Sequence, residues 1–404
     1  MYRIFNKIVL LIFIGILSSC TEEIAIEDNG FESILVVEST LTNNLENQTV
    51  KLSRTSQLND TIFQVEQNAV VSVMEGSTVY NFTSIGNGDY LSDEKFAAKE
   101  NLDYQLNITT QNGKKYTSSK VQLKPVPEIE DLYVESGFSN NTLGAQILVD
   151  VKGLNDSTNY LRYEFEETYK IVTPIVKVTK GEIRNYKTQL NGCATFDIVE
   201  VFKDSINDVC YNNRLSSGIN LANTSGIGEN RATRVPVHFV QATDPVLLAR
   251  YSILVKQYSQ SLEANSFYEI LKDFGGSGSV LSQNQPGFVV GNINAINDNT
   301  EKVLGFFEAS SISEKRIYFN HEDLEFDRPD YFEDCTPIKY DYNFCGGLAP
   351  DPPTGFRRDL LYTDAFRNNY QFISFDFPIF ELVKPACADC SFIGTTEKPE
   401  FWID

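Results

Sequence analysis

Short runs in which apolar and polar residues alternate dominate the first part of this 404-residue chain. Runs of this kind lie at 34–41, 50–53, 69–74, 79–82, 102–108 and 116–119. Such period-two alternation, broken by turns such as Gln111-Asn112-Gly113, is typical of strands with one buried face. Six or more short strands in about ninety residues predict an all-β unit. We expect residues 31–126 to form an Ig/fibronectin-like or transthyretin-like β-sandwich.

Pro125 and Pro127 interrupt this pattern, and we place a domain boundary beside them. Residues 127–404 are predicted to form a larger β-rich domain. Within it, the runs at 145–151 and 160–165 predict a hairpin, which the runs at 235–240 and 250–255 continue. The predicted fold class of the whole chain is therefore mostly β.

One amphipathic helix interrupts these strands. Ser261 can cap its N-terminus, and Gly275-Gly276 ends it. The residues that share one apolar face are Ala264, Phe267, Tyr268, Leu271 and Phe274. This spacing indicates packing on a sheet better than it indicates a ligand site.

The first residues look like an export signal. Arg3 and Lys7 precede an apolar run at 8–17, which is shorter than the roughly twenty residues that a membrane-spanning helix needs. A basic start followed by a short apolar run is typical of a secretory signal peptide, which we place at 1–19. Its removal would change the formal net charge from −21 to −23.

The sequence Leu17-Ser18-Ser19-Cys20 resembles a bacterial lipobox, in which the cysteine becomes the first residue and carries acyl chains. Several acyl chains hold a protein firmly at a membrane. The following Thr21-Glu22-Glu23 resembles the acidic export signal of Bacteroidota surface lipoproteins. We therefore expect residues 20–30 to be a lipid anchor and acidic export spacer, with the protein on the extracellular side of the outer membrane.

Six further cysteines form an even set, as expected for disulfides in an exported chain. They are Cys193, Cys210, Cys335, Cys345, Cys387 and Cys390. Cys193 and Cys210 are separated from the others in the sequence, so we predict that they pair. The last four are expected to cross-link among themselves. Cys387-Ala388-Asp389-Cys390 is better explained by structural disulfides than by a redox or zinc site, because there is no second CxxC motif.

The composition excludes nucleic-acid binding, because a strongly acidic protein is repelled by phosphates. Catalytic and cofactor motifs are missing from the sequence, so we expect neither an enzyme nor a cofactor. His238 and His321 are the only histidines, which leaves little for a metal site. Adjacent acids such as Glu166-Glu167 could serve a glycosidase, but among 55 acidic residues such pairs are expected as a solvated surface.

Two polar segments have structural explanations as well. Gly275-Gly276-Ser277-Gly278-Ser279 resembles a nucleophile elbow but follows a predicted helix, so it is better read as a loop that ends that helix. The four residues with oxygen atoms suited to calcium are Asn294, Asn297, Asp298 and Asn299. They lack the EF-hand pattern and are better explained by a polar turn.

Several segments resemble the Bacteroidota lipoprotein family known as domain of unknown function 4249. The resemblance is carried by the segments 34–41, 250–258, 291–293, 303–310, 315–319 and 387–402, with Ile393 standing where a second glycine is expected. In this reading Gly305 allows close approach between strands. The triplets starting at Asp60, Asp156 and Asp204 also resemble the Bacteroidota O-glycosylation pattern.

The family resemblance implies a surface-exposed outer-membrane lipoprotein, commonly encoded beside a TonB-dependent transporter, with no established enzymatic activity. Our leading hypothesis is a non-catalytic accessory subunit of such a transporter, which captures substrate or shapes the mouth of the barrel. The first alternative is a free-standing surface adhesin or glycan-binding protein. The second is a hydrolase that uses carboxylates. The sequence identifies no ligand.

We predict that Cys20→Ser releases the protein from membranes, because the acyl chains lose their attachment site. Changing both Glu22 and Glu23 to Ala should leave the protein lipidated but facing the periplasm. Membrane fractionation measures the first effect, and protease accessibility on intact cells measures the second. A double variant that is still digested on intact cells would show that these acids are not an export signal.

Overall fold

A computed structural model describes residues 33–56, 64–155, 159–188, 194–225, 230–276, 289–298, 300–345 and 356–404. The first strands are β1 (Leu35–Thr42), β2 (Thr49–Arg54), β3 (Val70–Glu75), β4 (Thr78–Gly86), β5 (Asp89–Ser92), β6 (Asp103–Thr109), β7 (Lys115–Ser118) and β8 (Val121–Gln122). They are followed by β9 (Glu128–Ser139), β10 (Thr142–Lys152), β11 (Tyr160–Val172), β12 (Thr179–Lys187), β13 (Thr195–Phe202), β14 (Val209–Leu215), β15 (Asn220–Asn223) and β16 (Arg231–Gln241).

The remaining strands are β17 (Tyr251–Gln260), β18 (Ile293–Ala295), β19 (Val303–Ser310), β20 (Ile312–Phe319), β21 (Ile338–Asp341), β22 (Phe356–Arg357), β23 (Gln371–Ser374) and β24 (Ile379–Val383). The described residues also form two α-helices, α1 (Leu262–Gly276) and α2 (Arg358–Phe366), and four short 3-10 helices. The prediction of a mostly β fold is confirmed. No helix in these ranges is both long and apolar enough to cross a bilayer.

The N-terminal strands form a ten-stranded, nearly closed sheet in the order β18-β7-β6-β3-β4-β5-β2-β1-β19, with β8 beside β6. Alternate residues such as Leu35, Val37 and Leu106 point into one core because the strands bury one face. The sheet takes β18 and β19 from much later in the chain: β1 and β19 run parallel, from Leu35 opposite Val303 to Thr42 opposite Ser310. The boundary placed beside residue 126 remains a prediction.

Two glycines permit this closure. Gly305 in β19 has φ +150°, and a Cβ atom there would lie 2.2 Å from the carbonyl oxygen of Val37 in β1. A Cβ atom at Gly291 would lie 1.6 Å from the carbonyl oxygen of Gly305. The side chain of Asn292 then bonds both backbone groups of Phe307, at 2.7 and 2.8 Å. The structure thus confirms that Gly305 allows close strand approach.

The central strands form two sheets around a second core. The three-stranded sheet has the order β16-β10-β9, and the five-stranded sheet has the order β14-β11-β17-β20 with β15 also paired to β11. Val149 of one sheet and Ile253 of the other belong to the same buried cluster. The predicted hairpin of 145–151 with 160–165 is wrong, because β10 pairs with β9 and β16 whereas β11 pairs with β14, β15 and β17. Alternation identified the strands but not their partners.

Helix α1 agrees closely with the predicted helix. The hydroxyl of Ser261 accepts a hydrogen bond from the backbone N–H of Ala264 at 3.1 Å, as an N-cap should. Phe267 packs against Phe306 of β19, with ring centroids 5.6 Å apart. The predicted apolar face is therefore the buried one, although Phe274 at its end is exposed.

A third core is rich in aromatic residues and lies among the two-stranded sheet β12-β13, the four-stranded sheet β22-β21-β24-β23 and α2. Phe196 of β13 contacts the ring of Tyr342 edge-on at 5.3 Å. Tyr342 also donates a hydrogen bond to the backbone of Phe196 at 2.6 Å. These contacts join segments that are 146 residues apart in the sequence.

The disulfides differ from the predicted pairing. Cys210 pairs with Cys390, not with Cys193, and Cys335 pairs with Cys387. Cys345 is also disulfide-bonded, and Cys193 lies outside the described residues. The Cys210–Cys390 bond forms because the C-terminal segment lies along the edge of β14, where Tyr211 and Thr395 exchange two backbone hydrogen bonds of 2.8 Å. Separation in sequence was therefore a poor guide to the partner of Cys210.

We predict that Gly305→Ala lowers the free energy of unfolding by at least about 2 kcal/mol, because the new methyl group meets the backbone of β1 and cannot move away. Denaturant unfolding measures the loss. Gly218→Ala is the matched control, since a Cβ atom there meets nothing within 4 Å. Equal stability of Gly305→Ala and the wild type would contradict the close approach of β1 and β19.

Candidate functional site

A buried arginine joins the ten-stranded sheet to the five-stranded sheet. Arg162 in β11 is 8 % exposed, and its guanidinium lies 3.0 Å from the carboxylate of Glu308 in β19. It also donates to the hydroxyl of Thr40 in β1 at 3.2 Å and bonds Glu164. Strands β1 and β19 of the ten-stranded sheet and β11 of the five-stranded sheet thus meet at the guanidinium of Arg162.

Aromatic rings cover the remaining faces of this guanidinium. Its carbon atom lies 4.4 Å from the ring centroid of Tyr258 in β17 and 5.2 Å from that of Tyr268 in α1. Burial alone would lower the pKa of Arg162, but Glu308 and Glu164 raise it above its ordinary value, so the side chain stays charged. A desolvated cation between two tyrosines gains cation–π attraction in addition to its ion pairs.

The first cleft, which we call the outer cleft, opens beside this arginine on the outer face of the five-stranded sheet. It has a volume of about 360 Å³ and is lined by Arg162, Glu164, Glu166, Lys256 and Tyr268, among others. Lys256 bonds Glu166 at 2.9 Å, and the Tyr258 hydroxyl donates to Glu164 at 2.9 Å. Charged groups and tyrosine rings side by side suit a polar ligand that offers both hydrogen bonds and apolar faces.

The second cleft, which we call the inner cleft, lies on the opposite face of β11 and has a volume of about 380 Å³. Its buried carboxylate, Glu167, lies 3.1 Å from Nε2 of His238 in β16 and accepts a hydrogen bond from Tyr251. Burial alone would raise the pKa of Glu167, but His238 and Tyr251 lower it below its ordinary value. The carboxylate is therefore held ionised.

The two clefts arise because the edge of the sheet is interrupted. β14 and β15 both pair with β11, and the four residues 216–219 between them leave the sheet. Ser216 closes the gap: its N–H donates to the carbonyl of Phe165, and its hydroxyl accepts from the N–H of Phe165 at 3.1 Å. The segment 216–219 lines both clefts, one on each face of β11.

The acidic pair considered for hydrolysis does not share a site. Glu166 and Glu167 are neighbours in a strand, so their side chains point to opposite faces. Glu166 bonds Lys256 in the outer cleft, whereas Glu167 bonds His238 and Tyr251 in the inner cleft. A paired general acid and base of this kind is therefore not built from these two residues.

The other candidate residues are dispersed. His321 follows β20 and is buried beside Phe326. His238 lies in β16 and contacts Glu167 instead. Asp298 accepts hydrogen bonds from Thr300 in a turn, as the polar-turn explanation requires. Among the described residues, no group of three or more His, Cys, Asp or Glu side chains is placed to hold a metal ion.

Several predicted residues lie outside the described ranges: the signal peptide at 1–19, Cys20, Thr21, Glu22, Glu23, Cys193, Ser277, Gly278, Ser279, Asn299 and the triplets starting at Asp60 and Asp156. The third triplet, Asp204-Ser205-Ile206, is exposed after β13. Its glycosylation remains a prediction.

Sequence reasoning missed Arg162 and Glu308. Arg162 stands in a strand pattern among other charged residues, and the two positions are 146 residues apart in the sequence. The one local signal was that Glu308 follows Gly305-Phe306-Phe307, a run buried enough to make a following acid unusual. That signal identifies a buried charge but not its partner.

We predict that Arg162→Met lowers the free energy of unfolding by about 3–5 kcal/mol, because it leaves Glu308 buried without its cation. The double variant Arg162→Met/Glu308→Met should regain part of this loss, since both charges are then gone. Arg214→Met is the control, because Arg214 and Asp244 form a solvent-exposed pair worth at most about 1 kcal/mol. Denaturant unfolding of the four proteins measures these values, and equal losses for Arg162→Met and Arg214→Met would contradict the structural role of Arg162.

Comparison with known proteins adds a family. A search of curated proteins found no match to this chain. The sequence model of the family described as Domain of unknown function (DUF4249) matches residues 21–316. This range contains the ten-stranded sheet, Arg162, Glu308 and the residues that line the outer and inner clefts, but it ends before the four-stranded sheet and the C-terminal segment. Because the match covers most of its length, the chain belongs to the DUF4249 family.

Proposed function

We propose that the protein is a surface-exposed outer-membrane lipoprotein, anchored through acylated Cys20, that acts as a non-catalytic accessory subunit of a TonB-dependent transporter. Its role would be to capture substrate or to shape the mouth of the barrel. The lipobox resemblance of Leu17–Cys20 and the acidic Thr21-Glu22-Glu23 support the location. Nothing in this role requires covalent chemistry.

The observation that carries the proposal is the short link between the anchor and a body with ligand-sized clefts. Twelve residues lie between Cys20 and Ser33, where the described residues begin, so the link spans at most roughly 45 Å even when extended. The ten-stranded sheet starts two residues later. A body held this close to the membrane can contact the extracellular loops of a neighbouring barrel.

We also propose that the ten-stranded sheet is a modified sandwich of the Ig/fibronectin or transthyretin type. The inward alternation along β1 and β6 supports this, because Leu35, Val37, Leu106 and Ile108 meet in one core. The parallel β1–β19 pair is an addition to the antiparallel pairing of such sandwiches.

The outer cleft favours a second candidate, a glycan-binding protein or adhesin. Saccharides are bound by planar polar side chains beside aromatic rings, and the outer cleft brings Glu164 and Glu166 next to Tyr268. This candidate needs no partner protein. It predicts binding of polysaccharide by the isolated protein, and a negative result on a broad glycan panel counts against it.

The transporter role is tested by purifying the protein from membranes in mild detergent and identifying what copurifies. We expect an outer-membrane TonB-dependent barrel in amounts comparable to the lipoprotein. Cys20→Ser is the control, because the unanchored chain should lose most of the barrel. Wild-type preparations that contain no outer-membrane barrel would refute the accessory role.

A further inference from the structure

A third cleft, the largest of those described, lies at the junction of the ten-stranded sheet, β17 and the start of α1. We call it the junction cleft; it has a volume of about 620 Å³, and Ser259, Glu308, Lys124, Glu263 and Val290 are among its lining residues. This volume is within the range of about 300–1,000 Å³ that is typical of small-molecule sites. Neither the predicted motifs nor the transporter role accounts for it.

The lining of the junction cleft includes buried polar atoms whose hydrogen bonds are missing or long. The hydroxyl of Ser259, which is 1 % exposed, has no hydrogen-bond partner in the described parts of the chain. Glu308 Oε1 is occupied by Arg162 and Thr40, but the only described donor to Oε2 is Gln260, at 3.4 Å. Buried polar atoms without partners cost free energy, which a ligand that donates hydrogen bonds would recover.

The charges around the floor favour a positive ligand group. Glu308 and the partly exposed Glu164 both bond the single guanidinium of Arg162, so these three side chains carry one more negative than positive charge. Glu308 is the member that also lines the junction cleft. An ammonium group has three hydrogen-bond donors and one positive charge. It would therefore supply the missing hydrogen bonds and also balance the excess negative charge.

The lining of the junction cleft also carries a positive charge, on Lys124. Lys120 is paired with Asp103 at 3.5 Å, and the carboxylate of Glu263 is held by the backbone at the start of α1. Half-buried Lys124 forms no ion pair within 4 Å of a described carboxylate, although its charge acts on that of Glu263, and it lines the same cleft. A carboxylate on the ligand is the group that suits the ammonium of Lys124.

The walls are fixed in position before any ligand arrives. Asn292 is tied to both backbone groups of Phe307, and Gly291 packs on the backbone of Gly305. The rest of the lining includes apolar atoms of Val121, Phe306 and Ala309. A preorganised cleft loses less free energy to ordering when it binds.

From this arrangement we propose that the junction cleft binds a small zwitterion with a free amino group and a carboxylate, namely an amino acid or a short peptide. The amino group would bind at Glu308 and Ser259, and the carboxylate at Lys124. This site goes beyond the proposed transporter role. Binding is measured on the isolated protein, so a failed copurification contradicts the transporter role but not this site. Absence of binding contradicts this site but not the transporter role.

The test is isothermal titration of the full mature protein in detergent with free leucine, the dipeptide alanyl-leucine, its N-acetylated form, its C-terminal amide and glucose. We expect saturable binding of leucine or alanyl-leucine. The one that binds more tightly shows whether the site prefers a free amino acid or a short peptide. N-acetylation and amidation should each weaken dipeptide binding at least about tenfold, because each removes one charge, and glucose should not bind. If no zwitterion binds at about 10 mM, or if the acetylated and free dipeptides bind equally well, the proposal is wrong.

Two variants locate the site. Val290 lines the cleft and is 74 % exposed, so Val290→Trp should block binding at least about tenfold without changing Tm in the absence of ligand. Val79→Trp, at a 50 % exposed position in β4, is the matched control and should bind as the wild type does. Lys124→Gln should weaken the dipeptide but not its amide. Wild-type affinity in Val290→Trp would overturn this placement of the ligand.

Discussion

The ion pair between Arg162 and Glu308 is the interaction on which the arrangement of the sheets depends. Both groups are buried, and neither is stable there without the other, because each loses its hydration. The pair therefore specifies how the ten-stranded sheet meets the five-stranded sheet. The same contact sets the positions of Tyr258, Tyr268 and Thr40, and with them one wall of the outer cleft and the floor of the junction cleft.

Local features were predictable from the sequence because local physics determines them. Period-two alternation located β1, β2, β3 and β6 to within a residue or two, and Ser261 with Gly275-Gly276 located α1. Partners were not predictable in this way. Alternation states that β10 and β11 are strands but carries no information on which strand lies beside each, so the expected hairpin was wrong. The same limit explains Cys210, whose partner is 180 residues away.

The clefts were beyond sequence reasoning for a related reason. Each forms where distant segments meet: β11 with 216–219, or β17 with β19 and the residues between β7 and β9. Glu167 illustrates this, because its neighbour in sequence lies in a different cleft and its partners His238 and Tyr251 come from other strands. The role of Gly305 could be predicted from the sequence. Its close approach to β1 depends on a backbone conformation that glycine favours.

The position of the segment 387–402 along β14 has a consequence for biosynthesis. A chain is synthesised from its N-terminus, so β14 is made well before Thr395 and Cys390, which cover its edge. The edge of β1 that pairs with β19 stays uncovered over a still longer stretch of sequence. During this interval both strands have uncovered hydrogen-bonding edges, which are templates for aggregation. The unfinished chain is therefore open to edge-to-edge association until residues 303–310 and 387–402 have been synthesised.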